Sequence, residues 1–261
     1  MNPYRYSLTT RLKEDFLIKL MAPGAHDTIL DLGCGLGYFM GIILSSGAKS
    51  FGLDFNFKSL SLAKKEVPGD YLLADAGSIP IKDDTFNKIL FTDVIEHLEN
   101  DGQAFTEISR VAKDGALVVI STVCMEGIFA GSRLNLLFHD KPGSPEYHFR
   151  PGYKTEDLIK LMEKHNIACT DVKYTTVLLG EIFIEMLKLF YSRLKKDFHT
   201  QADASGEEKS FLFTIYRKLI FPVLFGISKL EGLLLSMHLK GHVVMVKGIV
   251  NKSGVHSDVR P

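Results

Sequence analysis

The sharpest chemical signal in the chain is Asp31-Leu32-Gly33-Cys34-Gly35-Leu36-Gly37, a carboxylate followed by three glycines at alternate positions. Glycines let a backbone turn tightly and let a ligand approach with no Cβ in the way. The dinucleotide fingerprint needs glycines at offsets 0, 2 and 5. Counted from Gly33 the sixth residue is Tyr38, and from Gly35 it is Met40, so both registers fail. No G-x-x-x-x-G-K-[ST] stretch occurs, which removes the P-loop as well. A carboxylate beside the loop repels a pyrophosphate and attracts an ammonium. Asp54 stands 23 residues after Asp31, where an acidic residue can accept both hydroxyls of a ribose. Asp75 could accept from the exocyclic amine of a purine. Together these residues describe a nucleoside with an amino-acid tail and no phosphates. Taken singly, each also suits a structural part. The glycines suit a tight turn, Asp54 a helix N-cap, Asp75 a turn, and Cys34 small filler in the loop.

These side chains need a scaffold, and the first two thirds of the chain supplies one. Strands are expected at Ile29–Leu32, Ser50–Asp54, Tyr71–Ala74, Lys88–Phe91 and Ala116–Ile120. Helical stretches lie between them, from about Tyr38 to Ser46 and through Leu60, Leu62 and Ala63. Such alternation indicates βαβ units and a parallel sheet, and the nearly all-apolar fifth strand suits a central position. Thr155 reads as an N-cap, with Glu156 and Asp157 in the first turn of a helix running to about His165. A strand from Ala168 to Thr176 and a last one within Gly241–Gly248 complete the pattern, with a polar tail at 250–261.

With these elements in order, a family resemblance emerges. Asp31 to Gly37, Gly52-Leu53-Asp54-Phe55, Ala74-Asp75-Ala76 and Asp83-Asp84-Thr85-Phe86-Asn87-Lys88-Ile89 resemble successive motifs of class I S-adenosylmethionine-dependent methyltransferases. Asp93-Val94-Ile95-Glu96-His97-Leu98 and Glu107 to Gly115 are similar to the small-molecule subgroup that includes ubiquinone and menaquinone methyltransferases. The resemblance covers about residues 25–175 and returns at the last strand. It departs at Asn87, where the family often has Asp. It implies a single Rossmann-like α/β domain over 1–261, its sheet mostly parallel with an antiparallel last strand. It also implies S-adenosylmethionine as cofactor. Asp31, Gly33, Cys34, Gly35 and Gly37 would hold the methionine end, Asp54 with Phe55 the ribose, Asp75 with Ala76 the adenine, and Thr92 and Asp93 would close the site.

Methyl transfer from a sulfonium is an in-line displacement that needs no metal, and no metal motif is found. An oxygen or nitrogen nucleophile often needs a base as well. In open α/β sheets ligands bind at the carboxyl ends of the strands. That directs attention to Asp93, Glu96 and His97, and to the loop from His139 to Tyr153, whose aromatic, His and Arg side chains concentrate from Pro145 onward. Tyr147, His148 and Arg150 are the acceptor-site candidates, with His97 as a candidate base. His97 could instead pack or cap a helix, and the loop could simply cover the sheet edge. The fourth strand lacks the Asn/Asp-Pro-Pro-Tyr signature of enzymes that methylate adenine or glutamine amino groups.

Residues 177–240 are the individual feature, a Phe-rich helical insertion before the last strand. Phe183, Met186, Leu187 and Phe190 fall at helical spacing, as do Phe211, Ile215 and Leu219 beside Phe221, with Lys188, Arg193, Lys195, Lys196, Arg217 and Lys218 among them. Such a stripe can lie in a membrane interface, cover a greasy acceptor, form a dimer face or pack as plain core. Composition bounds the rest. The 261 residues carry 31 Lys+Arg against 31 Asp+Glu, which disfavours a nucleic-acid partner. Three separated cysteines exclude a disulfide framework and fit a reducing compartment, and no 18-residue apolar run exists. The chain is therefore expected in the cytoplasm, with peripheral membrane contact through 177–240, and its oligomeric state is open. The leading reading is a methyltransferase for a small, apolar or lipid-like acceptor. A non-catalytic cofactor-binding scaffold and a nucleotide-dependent oxidoreductase are the alternatives.

Overall fold

The computed structural model describes residues 5, 7–127, 147–175, 182, 214, 216–235 and 239–253. Helix α1 (Leu8–Met21) comes first, capped by the Ser7 side chain, which accepts from the Thr10 amide. Then β1 (Thr28–Leu32), α2 (Tyr38–Ser45), β2 (Lys49–Asp54), α3 (Phe57–Glu66) and β3 (Asp70–Leu73) alternate. Strand β4 (Phe86–Thr92) runs into a 3-10 turn at Ile95–His97, followed by α4 (Asp101–Val111) and β5 (Ala112–Val123). Helix α5 (Thr155–Lys164), β6 (Ile167–Thr175), a π-helical turn (Tyr216–Ile220), α6 (Phe221–Leu235) and β7 (Val243–Val250) complete the described residues.

The seven strands form one sheet in the order β3-β2-β1-β4-β5-β7-β6. Strands β1 to β5 pair in parallel, whereas β7 runs antiparallel to both β5 and β6. This is the α/β, Rossmann-like arrangement that the sequence leads one to expect, with the antiparallel strand last. The central strands are apolar because both faces are covered, and a period of two sorts their side chains. Leu30, Leu32, Ile89, Phe91, Val118 and Ile120 pack on the α4–α5 side. Ile29, Leu90, Val119 and Met245 pack on the side of α1 and α2. The order of strands reverses between β1 and β4, which opens a crevice at their carboxyl ends.

Several boundaries differ from expectation for local reasons. Thr155 is the first helical residue of α5, not its cap, and Lys154 stands in the cap position. The Thr155 amide donates to Glu126 Oε2 (2.8 Å), and its hydroxyl pairs with Tyr174 Oη (2.8 Å), so it ties α5 to the sheet. The last strand begins at Val243, after the His242 carbonyl has accepted from the Cys124 amide (2.7 Å). Asn87 joins the feet of β1 and β4, accepting from the Thr28 amide (2.8 Å) and donating to Asp27 (2.9 Å). Of the insertion at 177–240, the described residues are 182, 214, 216–235, 239 and 240. Phe183, Met186, Leu187, Phe190, Phe211 and Ile215, and the polar tail from residue 254 onward, lie outside the described residues.

Candidate functional site

A cavity of about 320 Å³ lies at the crevice, and the ends of β1, β2 and β4 all reach it. Its floor is the glycine loop. Gly33 and Gly35 sit at φ +76° and +51°, a region that L side chains rarely adopt. The amides of Gly33 and Cys34 both donate to the Leu53 carbonyl (2.7 and 3.0 Å), so the loop is tied to the end of β2. Cys34 lines the cavity but is buried, and burial pushes its thiol far up, which leaves it unreactive. Gly37 starts α2 and is not part of the wall.

Two carboxylates back this floor. Asp54 lines the cavity with one oxygen accepting from the Gly35 amide (2.8 Å) and the other from the Asn56 amide (2.8 Å). Burial raises its pKa, against the pull of those amides. The neighbouring helix α3 is capped by Asn56, whose side chain accepts from the Lys58 and Ser59 amides, so Asp54 does not serve as the cap. Asp31 lies one layer deeper, only 1% exposed, behind the loop and outside the cavity wall. Its Oδ2 has no hydrogen-bond partner among the described residues. Burial and the nearby Asp54 charge push it up to about 7, opposed by the Met40 amide.

Toward the end of β3, Phe55, Asp75 and Ala76 line the cavity. Asp75 Oδ1 accepts from the Gly77 amide (2.6 Å), an Asx turn that fixes it as both turn residue and wall. The opposite end is built by Thr92, Asp93 and His97, with Thr10 and Lys13 from α1. Asp93 sits at φ +52° and accepts from Ser121 Oγ (3.1 Å), while its other oxygen is ion-paired with Lys13. Lys13 is 1% exposed, and burial holds its ammonium down to about 8, with Glu96 opposing. Glu96 is buried too and accepts from Thr122 Oγ1 (2.9 Å).

The four acceptor-site candidates fare differently. His97 lines the cavity, and its Nδ1 lies 3.2 Å from the Tyr147 carbonyl oxygen. A carbonyl can only accept, so Nδ1 carries the proton in the neutral ring and Nε2 keeps a lone pair. The His148 ring stands perpendicular to His97 at 4.4 Å. Tyr147 acts here through its main chain, with its ring edge-on to Phe149. Arg150 is brought to none of these walls. It donates to the carbonyls of Leu98 (2.9 Å) and Glu99 (3.2 Å), and with Tyr153 it holds Asp101. Its place is that of a brace behind the 97–101 turn. Thr10 and Lys13 are wall residues that the motifs did not single out, whereas Glu96, named with Asp93 and His97, lies buried beside the wall. The signal for α1 was there in Ser7 and the apolar spacing Leu8, Leu12, Leu17, Leu20. Among the described residues no group of three His, Cys, Asp or Glu side chains is arranged to hold a metal.

Open glycine backbone over two buried carboxylates suits a cationic, phosphate-free ligand. The unpartnered Asp31 Oδ2 leaves negative charge for an ammonium to offset, and a pyrophosphate would be repelled. Comparison with known proteins agrees. Residues 30–120 match the methyltransferase-domain family. An "Uncharacterized methyltransferase" of Mycobacterium bovis is 32% identical over 117 residues, which are 44% of this chain and 46% of that protein. A malonyl-[acyl-carrier protein] O-methyltransferase of Hamiltonella defensa is 33% identical over 98 residues, 37% of this chain and 38% of its own length. The chain thus matches less than half the length of these relatives. Phosphoethanolamine N-methyltransferase 2 of Haemonchus contortus, solved with S-adenosyl-L-methionine, superposes with a TM-score of 0.59 at 16% identity, over 92% of this chain and 52% of that one. The match to the methyltransferase-domain family spans residues 30–120, and the sheet topology with a glycine loop at the switch point is similar to that of class I S-adenosylmethionine-dependent methyltransferases.

Proposed function

We propose that this chain moves a methyl group from S-adenosylmethionine to a small, apolar or lipid-like acceptor. The observation that carries the reading is the pair Asp31 and Asp54 beneath open glycine backbone at the switch point. Bound S-adenosylmethionine supplies an electrophilic methyl group on a sulfonium. The residues of the chain do the rest. Asp54 accepts the ribose hydroxyls while the Gly35 and Asn56 amides hold its carboxylate in place. Gly33 and Gly35 let the methionine end approach the backbone, and Asp31 supplies negative charge from below. Phe55, Asp75 and Ala76 form the adenine end. Thr92 and Asp93 bound the reacting end, where Val94 and Leu98 help to exclude water.

His97 is the base of this reading. Its Nε2 lone pair takes the proton of an O–H or N–H acceptor, and His148 and the Tyr147 carbonyl hold the ring. Asp93 and Glu96 against the single ammonium of Lys13 make this end of the site net negative. That favours a neutral or cationic acceptor over a carboxylate. The apolar segment at 177–240 supports a greasy acceptor drawn from a membrane surface, with the chain peripheral to it.

Calorimetric titration with S-adenosylmethionine, its demethylated product and NAD tests the cofactor. Binding of the first two and not the third is expected; binding of NAD alone would move the chain to the oxidoreductase reading. Asp54→Ala should raise the S-adenosylmethionine dissociation constant about 5- to 150-fold, the equivalent of about 1–3 kcal/mol for stranded polar partners. An unchanged constant would remove Asp54 from the ribose site. For the acceptor, methyl-labelled cofactor is incubated with a membrane-lipid extract. Label is expected in the organic phase, and cofactor binding with no turnover on any acceptor would favour the scaffold reading.

A further inference from the structure

Helix α6 lies against α1 and not against the sheet's central strands. Phe221 is buried, and the Phe225 ring carries the Arg11 guanidinium at 5.5 Å and Lys229 Nζ at 5.6 Å. Lys229 also pairs with Asp15 of α1. Helix α1 in turn gives Thr10 and Lys13 to the cavity wall, so α6 forms the outer layer over that end of the site.

The other face of α6 is apolar and open. Val223, Ile227, Leu230 and Leu234 recur at intervals of three and four residues, and Leu219 and Ile220 extend the stripe from the π-helical turn that leads into α6. They are 43% to 66% exposed. Residues at this spacing share one stripe of a helix, and a surface helix normally turns polar side chains outward along it. A contiguous aliphatic patch of this kind marks an interaction surface.

Charge selects the partner. Between 216 and 235 the only carboxylate is Glu231, and it is buried. Arg217 and the exposed Lys218 lie at the entrance to the stripe. A seam between two copies of a helix is usually flanked by charges of both signs that pair across it. Among the described residues from 216 to 235, the exposed charges of this flank are cations only. The helix is 15 residues long, or about 22 Å at 1.5 Å per residue, short of the about 30 Å of a hydrocarbon core. No described helix is long and apolar enough to cross a membrane. Such a helix lies in the interface plane, aliphatic side down and cations toward the headgroups.

We propose that the outward face of α6 and of the π-helical turn before it, from Leu219 to Leu234 with Lys218 at its end, docks the protein on an anionic lipid bilayer. Docking there places the Thr10–Lys13 end of the cavity, behind α1, next to the membrane. The purpose of this surface rests on the apolar-acceptor reading; its composition does not.

The full chain is sedimented with phosphatidylcholine vesicles, with and without phosphatidylglycerol, and its S-adenosylmethionine binding is measured on the same preparation. The wild type is expected to pellet with the anionic vesicles and to be released by salt. Ile227→Asp with Leu230→Asp should weaken that binding at least about tenfold, since two aliphatic side chains no longer leave water. Lys218→Glu should weaken it in low salt only. All three proteins should bind S-adenosylmethionine alike. A wild type that stays in solution with both vesicle types overturns the proposal, as do variants that sediment like it. So does a dimer, seen by light scattering and broken by Ile227→Asp with Leu230→Asp, in a protein that ignores vesicles. Cofactor binding without vesicle binding removes only the docking surface, whereas vesicle binding without cofactor binding removes only the methyltransferase reading.

Discussion

Gly33→Ala is expected to abolish S-adenosylmethionine binding and to lower stability by about 2–5 kcal/mol. Two costs add. The residue sits at φ +76°, and a Cβ there costs about 1–2 kcal/mol in backbone strain. The new methyl would also fall 2.1 Å from Val94 Cγ2 and 3.3 Å from Val94 Cβ and Cγ1. Val94 has little room to withdraw. It packs on the main core cluster, and its neighbour Asp93 is pinned by Lys13 and Ser121. Overpacking of this kind typically costs about 1–3 kcal/mol. The loop is therefore expected to lift off the Leu53 carbonyl, and the floor of the cavity goes with it. Adding Val94→Ala should restore the steric share of the loss and leave the strain. Gly47→Ala is the control. It shares the left-handed backbone at φ +81°, but its Cβ would meet Ala25 at an ordinary 3.5 Å, far from the cavity. It should cost stability modestly and leave binding unchanged. Urea unfolding and calorimetry on the four proteins check this, and a Gly33→Ala protein that binds normally would take the loop out of the cofactor site.

The sheet could be read from the chain because its signals are local. Strands β1, β2 and β4 are short, largely apolar runs that lead into Gly33, Asp54 and Asp93, and β5 is continuously apolar from Ala116 to Ile120 because both of its faces are buried. The glycine loop and Asp54 were legible for the same reason, since spacing along one chain fixes them. What escaped depends on contacts across the fold. Ser7 and the leucine spacing announce helix α1, but nothing local says that Lys13, in the middle of its buried side, is a wall residue. That lysine is buried only because Asp93, 80 residues away, meets it. Arg150 sits in a loop whose His and Tyr residues suggest an acceptor site. Its partners are the carbonyls of Leu98 and Glu99, which every residue type carries equally. Likewise, only the structure separates Asp54, turned to the loop, from Asn56, two residues on, which takes the helix cap.

Asp31→Asn is expected to flatten the pH dependence of stability and to stabilise the ligand-free protein by about 4 kcal/mol above pH 7. Burial and the Asp54 charge raise the Asp31 pKa from 3.8 to about 7. Between those values the unfolded chain has released its proton while the folded chain still holds one. Folding binds the proton, so stability falls as pH rises through this window and the full cost is reached above about 7. An amide can keep the contact with the Met40 amide through Oδ1 and cannot ionise, so the variant escapes the cost. Asp27, Glu107 and Glu126 have lowered pKa values, and their contributions vary below the upper half of this window and cancel in the difference between the two proteins. Chemical unfolding from pH 4 to 8 is the measurement, and parallel curves would mean that Asp31 titrates normally. The same proton gives the carboxylate a part in binding. An ammonium brought over the glycine loop favours the ionised form, so the wild type should release a fraction of a proton on binding S-adenosylmethionine near pH 6. Calorimetry in buffers of different ionisation enthalpy reads that release directly. Its disappearance in Asp31→Asn would tie the unpartnered oxygen beneath the loop to the cationic end of the cofactor, and release of the same size in both proteins would break that tie.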